Sequence, residues 1–301
     1  VAVTIHDLTI HRFSTARATT RWRPFNLLKR LLYRIVFWLA IKRAKVVFVP
    51  TEFVKKDLLK EYTWLLEKRI IVTYEGVDET FCLPKLDVKE THPSGKDESF
   101  LSTKYKVQKP YLLYVGSMYP HKNLERLIEA FSLVAEEYEN LKLVLVGKRD
   151  FFQRRLRGEV VAVGKTRPSK KDGSFLSRII FPAFKVKSGY VPDEDLAVFY
   201  KNALAFVFPS LSEGFGLPPL EAMQFGVPVV ASKATCIPEV CGAAALYFDP
   251  EDVEDIAAKI KSLVKNESLR EDLVTRGFKN LERFSWQEMA LRTLKGYRML
   301  N

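Results

Sequence analysis

The chain has 301 residues, 47% of them hydrophobic, and a formal net charge of +12 at pH 7. That size points to two domains with substantial cores, and three cysteines, Cys82, Cys236 and Cys241, form neither a disulfide framework nor a metal-binding spacing. The positive balance favours anionic partners, yet no nucleic-acid motif accompanies it and the aromatics sit inside apolar runs, so nucleic acid is excluded as a partner.

Val1 to Ile5 reads as a buried strand. A chain that opens within a strand and without Met is expected to lack upstream elements. His6-Asp7-Leu8 follows at the strand's carboxyl end. Pro24 to Arg43 has helical periodicity, and residues 25–45 mix large apolar with basic side chains. Two readings stand for this helix: packing on a first-domain sheet, or peripheral contact with an anionic membrane surface. Lys45 to Val49 predicts a strand, Thr51 caps a helix reaching Tyr62, and Arg69 to Tyr74 predicts a further strand. Residues 84–109 are polar and read as a linker. The predicted division is therefore a first Rossmann-like domain over 1–83, the linker 84–109, a second Rossmann-like domain over 110–284, and a C-terminal helix over 285–301.

The second domain opens with a strand, Tyr111 to Val115, a turn at Gly116 and Ser117, and Lys122 ahead of a helix that starts at Asn123 or Leu124 and ends at Tyr138. Lys142 to Val146 is a strand. Residues 149–188 are strongly basic and read as a solvated surface loop. Ala205 to Phe208 reads as a buried strand, and Glu213 then precedes a Gly-Phe-Gly turn. Pro219 to Phe225 predicts a helix with Glu221 in its first turn. Strands at Pro228 to Ala231 and Ala243 to Phe248 follow, then helices at Val253 to Val264, Glu267 to Phe284 and, capped by Ser285, Trp286 to Leu300. Strands alternating with helices throughout predict an α/β chain of parallel sheets covered by helices. The three cysteines read as free thiols of a reducing compartment, which places the chain in the cytoplasm, peripheral at the inner membrane face if residues 25–45 touch lipid.

The stretch from Phe208 to Ala231, FPSLSEGFGLPPLEAMQFGVPVVA, resembles the E-x7-E signature of retaining glycosyltransferases of family four, which have the two-domain GT-B fold. Its two glutamates are Glu213 and Glu221, and the resemblance implies that the final helix, residues 285–301, crosses back to the first domain. The segment from Tyr111 to Asn123 matches a second family region, and His6-Asp7-Leu8 a third. The wording EGFGLPPLEAM with an upstream His-Asp-Leu is similar to mannosyltransferase-like members.

The resemblance implies transfer of a hexose, mannose foremost, from a nucleotide-diphospho-sugar to a glycan or lipid-linked acceptor. It implies no cofactor beyond that donor, with GDP-mannose favoured and UDP- and dTDP-sugars open. It implies no metal site, and no Asp-x-Asp is apparent. Glu213 would face the donor sugar, where a carboxylate suits an oxocarbenium-like transition state. His6 would reach the sugar from the first domain, its alternative being a structural histidine. Glu221 would accept bonds from the ribose hydroxyls, its alternative being a charge placed to suit the helix dipole. Lys122 would neutralise the diphosphate, its alternative being a surface lysine at a helix start. Gly116, Gly214, Phe215, Gly216 and Leu217 would offer backbone N–H groups or close approach, and backbone near Val191 would read the base. Ser117 stands where many members carry a basic residue, so that one positive charge is missing or Lys148 or Arg149 supplies it. Two other functions share this pattern: a non-catalytic sugar-nucleotide-binding protein, and a GT-B sugar-nucleotide epimerase.

Overall fold

A computed structural model of the chain describes residues 1–12, 23–77, 95–147, 179–180 and 191–300. Two parallel sheets organise them. The first has order β1-β2-β3, from β1 (Ala2–Thr4), β2 (Val46–Val49) and β3 (Ile70–Val72). Helices α1 (Thr9–Arg12) and α2 (Arg23–Arg43) lie between β1 and β2, and α3 (Glu52–Glu61) lies between β2 and β3. All four residues of β2 are buried, and the core beneath them is built from Ile5, Ile41, Val54 and Leu58.

The second sheet has order β6-β5-β4-β7-β8-β9. Its strands are β4 (Tyr111–Val115), β5 (Lys142–Val146), β6 (Ile179–Ile180), β7 (Ala205–Phe208), β8 (Val229–Ser232) and β9 (Ala245–Phe248). The first four residues of β4 and all of β7 and β8 are buried, as expected for parallel strands covered on both faces. Helix α5 (Leu124–Glu137) buries Leu124, Leu127, Ile128, Phe131, Val134 and Ala135, a three-and-four spacing that keeps one stripe inward. Burying each of the larger side chains in that stripe stabilises the domain by about 1.5–3 kcal/mol. Helices α6 (Asp193–Asn202), α7 (Leu217–Gln224), α8 (Ile237–Cys241), α9 (Val253–Lys265) and α10 (Glu267–Leu281) complete the layers.

The last helix, α11 (Trp286–Arg298), packs on the first sheet. Two glycines make that contact intimate. A Cβ on Gly296 would come 2.5 Å from the Phe48 ring of β2, and one on Gly76 would meet the Trp286 backbone at 2.3 Å. Lys45 Nζ donates to the Leu300 carbonyl at 2.9 Å from the same side.

Several elements differ from the sequence expectation. The stretch 84–109, expected as a linker, is helical over Gly95–Phe100 (α4) and continues as a π-turn to Tyr105. Leu101, Tyr105 and Val107 are buried in the second domain's core, so its polar composition marks only the outer face. Strand β6 lies within the basic stretch 149–188; most of that stretch, with Lys148 and Arg149, falls outside the described residues, as do Cys82 and Tyr190. Helix α7 begins at Leu217, because Gly216 adopts a left-handed φ of 98° and forms its N-cap. Glu221 therefore sits in the second turn rather than the first. Helix α10 stops at Leu281, three residues before Phe284, and α6 and α8 are additional helices. Among the described residues no helix is long and apolar enough to cross a membrane.

Candidate functional site

In chain order the second sheet reads 3-2-1-4-5-6, so the direction of winding reverses between β4 and β7. A crevice opens at such a reversal, beyond the carboxyl ends of the strands. The loops leaving β4 and β7 carry most of the residues singled out from the sequence.

The β4 loop is pinned from within. Tyr114, buried in the strand, donates its hydroxyl proton to the Ser117 carbonyl at 2.6 Å, and burial keeps that phenol protonated by raising its pKa well above the usual value. Gly116 has a φ of 150° and lies so close that a Cβ would stand 2.9 Å from the Tyr114 hydroxyl. A one-turn 3₁₀ helix, Pro120–Lys122, then delivers Lys122, and Asn123 turns the chain into α5 with a left-handed φ of 60°. The Asn123 amide is buried and donates to the Pro209 carbonyl at 3.1 Å and the Pro250 carbonyl at 2.7 Å. Its oxygen accepts from Arg126 at 2.9 Å. One side chain thus joins the loops that follow β4, β7 and β9, and the Leu211 N–H bonding to the His121 carbonyl at 2.8 Å adds a backbone link.

This bracing brings two candidate residues into contact. Lys122 Nζ lies 2.6 Å from Glu213 Oε1, with both side chains mostly buried, 16% and 13% exposed. Partial burial raises the Coulomb attraction within the pair while costing both charges part of their hydration. Beside it His121 stacks on Tyr119, and burial together with the Lys122 charge lowers its pKa to about 4.

The β7 loop is held along its length. The Glu213 N–H donates to Thr235 Oγ1 at 3.2 Å, and the Cys236 thiol lies 3.3 Å from the Glu213 carbonyl and 3.2 Å from that of Phe215. Burial pushes the Cys236 thiol well up, so it stays a protonated donor. Phe215 is buried against Tyr74 and Phe284, ring centroids 6.4 and 5.6 Å away. Gly214 abuts the first domain: a Cβ there would be 1.9 Å from the His6 carbonyl oxygen. Leu217 is the first residue of α7. Glu221 accepts from the Tyr200 hydroxyl at 2.7 Å, and burial raises its pKa while that bond opposes the rise. Val191 is buried just ahead of α6, the helix carrying Tyr200.

The opposite wall is the first domain's β1 loop. The His6 imidazole is 67% exposed, with Nδ1 3.4 Å from Glu75 Oε1. Asp7 accepts from the Thr9 N–H at 2.7 Å, and the Thr9 and Ser212 hydroxyls meet at 3.2 Å across the domain boundary. The structure therefore gathers Lys122, Glu213, Gly214 and the His6 backbone at one place, with Glu221 reached through α7 and Tyr200.

The bracing residues Tyr114, Asn123, Tyr200, Thr235 and Cys236 were not read from the sequence as part of the site. The one local signal was polar: a tyrosine inside an apolar strand, and an asparagine directly before a helix. Tyr114 reaches a residue three positions on, but Asn123, Tyr200, Thr235 and Cys236 bond to groups 21 to 127 positions away, which nothing local encodes. Chemically, the arrangement offers a buried cation and carboxylate in contact, a second carboxylate nearby, and a glycine-containing turn leading into a helix N-terminus. Those groups suit an anionic ligand with a hydroxyl-rich part. Among the described residues no group of three His, Cys, Asp or Glu side chains is placed to hold a metal ion.

Residues 95–280 match the family described as glycosyl transferases group 1. The chain is 32% identical to the O-antigen chain mannosyltransferase B of Escherichia coli, over 87% of this chain and 62% of that protein. It is 30% identical to the serotype-specific mannosyltransferase WbdA of Escherichia coli, over 86% of this chain and 29% of that one. It thus spans less than two thirds of the length of either relative. Among solved structures, the sucrose-phosphate synthase of Thermosynechococcus elongatus superposes with a TM-score of 0.71 at 24% identity, covering 99% of this chain and 67% of that one. The chain belongs to the group 1 glycosyl transferases and has their GT-B fold.

Proposed function

We propose that this chain carries the donor site of a retaining glycosyltransferase. It moves a hexose, mannose foremost, from a nucleotide-diphospho-sugar, GDP-mannose foremost, to a glycan or lipid-linked acceptor. Its likeness to two mannosyltransferases supports the choice of sugar. The observation that carries the reading is the Lys122–Glu213 contact at the point where the strand order reverses.

In this reading Lys122 meets the diphosphate, whose negative charge grows as the sugar departs. Glu213 holds it in place until then, and takes up the positive charge developing on the sugar once the lysine turns to phosphate. Gly116 and Ser117, with the N–H groups of Gly214, Phe215, Gly216 and Leu217, line the path of the phosphates and sugar. One Glu221 oxygen is committed to Tyr200, which leaves the other for the ribose hydroxyls. Val191 lies toward the base, and His6 reaches the sugar from across the cleft. A donor assay tests these assignments: Glu213→Gln should lower kcat by about 10²-fold or more while donor affinity changes less than about threefold. Unchanged turnover would defeat the role given to Glu213, and release of an epimerised sugar nucleotide would favour the epimerase reading.

The same reading places the enzyme against anionic lipid. Helix α2 exposes Leu28, Leu31, Leu32, Ile35 and Val36, contains no acidic residue, and ends in Lys42 and Arg43. Such a surface fits reversible binding at the cytoplasmic membrane face. Vesicles containing anionic lipid should carry the chain upward in a density gradient at low salt and release it at high salt. Failure to float at low salt would remove this part of the proposal.

A further inference from the structure

The donor loop is held by both domains. Thr51, fully buried, caps α3 by accepting from the Val54 N–H at 3.2 Å, and it donates its own proton to the Gly214 carbonyl of the other domain at 3.0 Å. Beside it, Glu239 of α8 reaches into the first domain. Its Oε1 accepts from the Glu52 N–H at 2.7 Å and from the Tyr74 hydroxyl at 2.8 Å, and its Oε2 accepts from the Phe53 N–H at 2.8 Å.

We infer that Thr51 and Glu239 form an interdomain clasp that ties the shape of the Glu213–Leu217 loop to closure of the cleft, and that they are positioning residues for transfer. The inference rests on the reading of that loop as part of the donor site.

Three features carry it. First, the two N–H groups are the opening ones of α3, which have no partner inside their own helix, and the helix dipole favours a negative charge there. A carboxylate from the opposite domain supplies both needs at once, so the groups lose charge-assisted bonds if the domains part. Second, Glu239 is coupled to the loop through its own segment. Thr235 and Cys236, four and three residues upstream, hold Glu213 and Phe215, while Arg283 donates to the Glu239 carbonyl at 2.9 Å and fixes the residue's backbone. Third, the domains meet so closely at Gly214 that no side chain fits between its Cα and His6. Parting the domains would free the Gly214 carbonyl, one residue from Glu213, whose own backbone stays bonded to Thr235 and Cys236.

Glu239→Gln tests the clasp. An amide has one acceptor oxygen and one donor nitrogen, and the nitrogen would oppose an N–H that now points at a carboxylate. Tyr74→Phe removes one bond without disturbing the helix cap, and Thr51→Ser keeps the hydroxyl. Spin labels on exposed positions of α3 and α10, introduced as Lys60→Cys and Glu271→Cys in a Cys82→Ser background, read the interdomain distance directly. The parent and Thr51→Ser should give one narrow distribution. Glu239→Gln and Thr51→Val should add a longer, broader population, and Tyr74→Phe a smaller one. In the donor assay the same two variants should lose about tenfold in kcat, with nucleotide affinity changed less than about threefold, as expected for groups that act on alignment. Unchanged distances in Glu239→Gln and Thr51→Val would overturn the clasp. Altered distances with unchanged kcat would overturn the positioning role. If the parent binds no nucleotide, the donor-site reading fails, while the distance measurement still decides whether the clasp exists.

Discussion

Around the cleft, burial and neighbouring charges determine how individual side chains respond to pH. His121 is the clearest case. Burial and the neighbouring Lys122 lower its pKa from 6.5 to about 4. The unfolded chain therefore binds that proton more readily than the folded one, so the contribution of His121 to stability is complete above pH 6.5 and is lost as pH falls toward 4. Melting temperature followed from pH 7 to 4.5 should drop more steeply for the parent than for His121→Gln; parallel curves would remove this account of the residue. The chemical kinds needed at the site, a lysine after the β4 turn and glutamates flanking the Gly-Phe-Gly turn, were legible in the sequence. That Lys122 and Glu213 touch was not, because 91 positions separate them and only the fold closes the gap.

Among elements, the buried parallel strands were the most legible. For β4, β5 and β7 the apolar runs coincide with the strands, since a strand covered on both faces leaves no polar interruption. Boundaries shifted where a single backbone conformation decided them. Gly216 in the left-handed region starts α7 two residues before Pro219, and that moves Glu221 by half a turn. The segment 95–105 is hidden by composition, because its two buried side chains, Leu101 and Tyr105, are scattered among exposed polar ones. Asn123 shows how an element boundary can also be a joint. It starts α5, and its amide bonds to carbonyls of two other loops. Asn123→Ala leaves those buried acceptors unpaired and keeps a left-handed residue without the asparagine that tolerates it. It should cost about 2–3 kcal/mol in denaturant unfolding. A loss below about 0.5 kcal/mol would show that the joint does not hold the loops.

For the whole molecule, two parallel sheets present their carboxyl ends to one cleft, and the last helix returns from the second domain to lie on β2 and β3. The α/β class with parallel sheets followed from the alternation of strand and helix patterns alone. The return of α11 depends on two glycines, Gly76 and Gly296, whose value lies in what packs against them, and composition does not show that. The net charge of +12 fits the anion binding proposed for the cleft and for the α2 surface. The central claim is that Lys122 and Glu213 mark a nucleotide-diphospho-sugar site. Calorimetric titration with GDP, UDP and dTDP, repeated on Lys122→Ala, tests it most directly. Selective binding of one nucleotide, GDP foremost, is expected, with affinity lost in the variant. Binding of no nucleotide, or equal binding by Lys122→Ala, would contradict it.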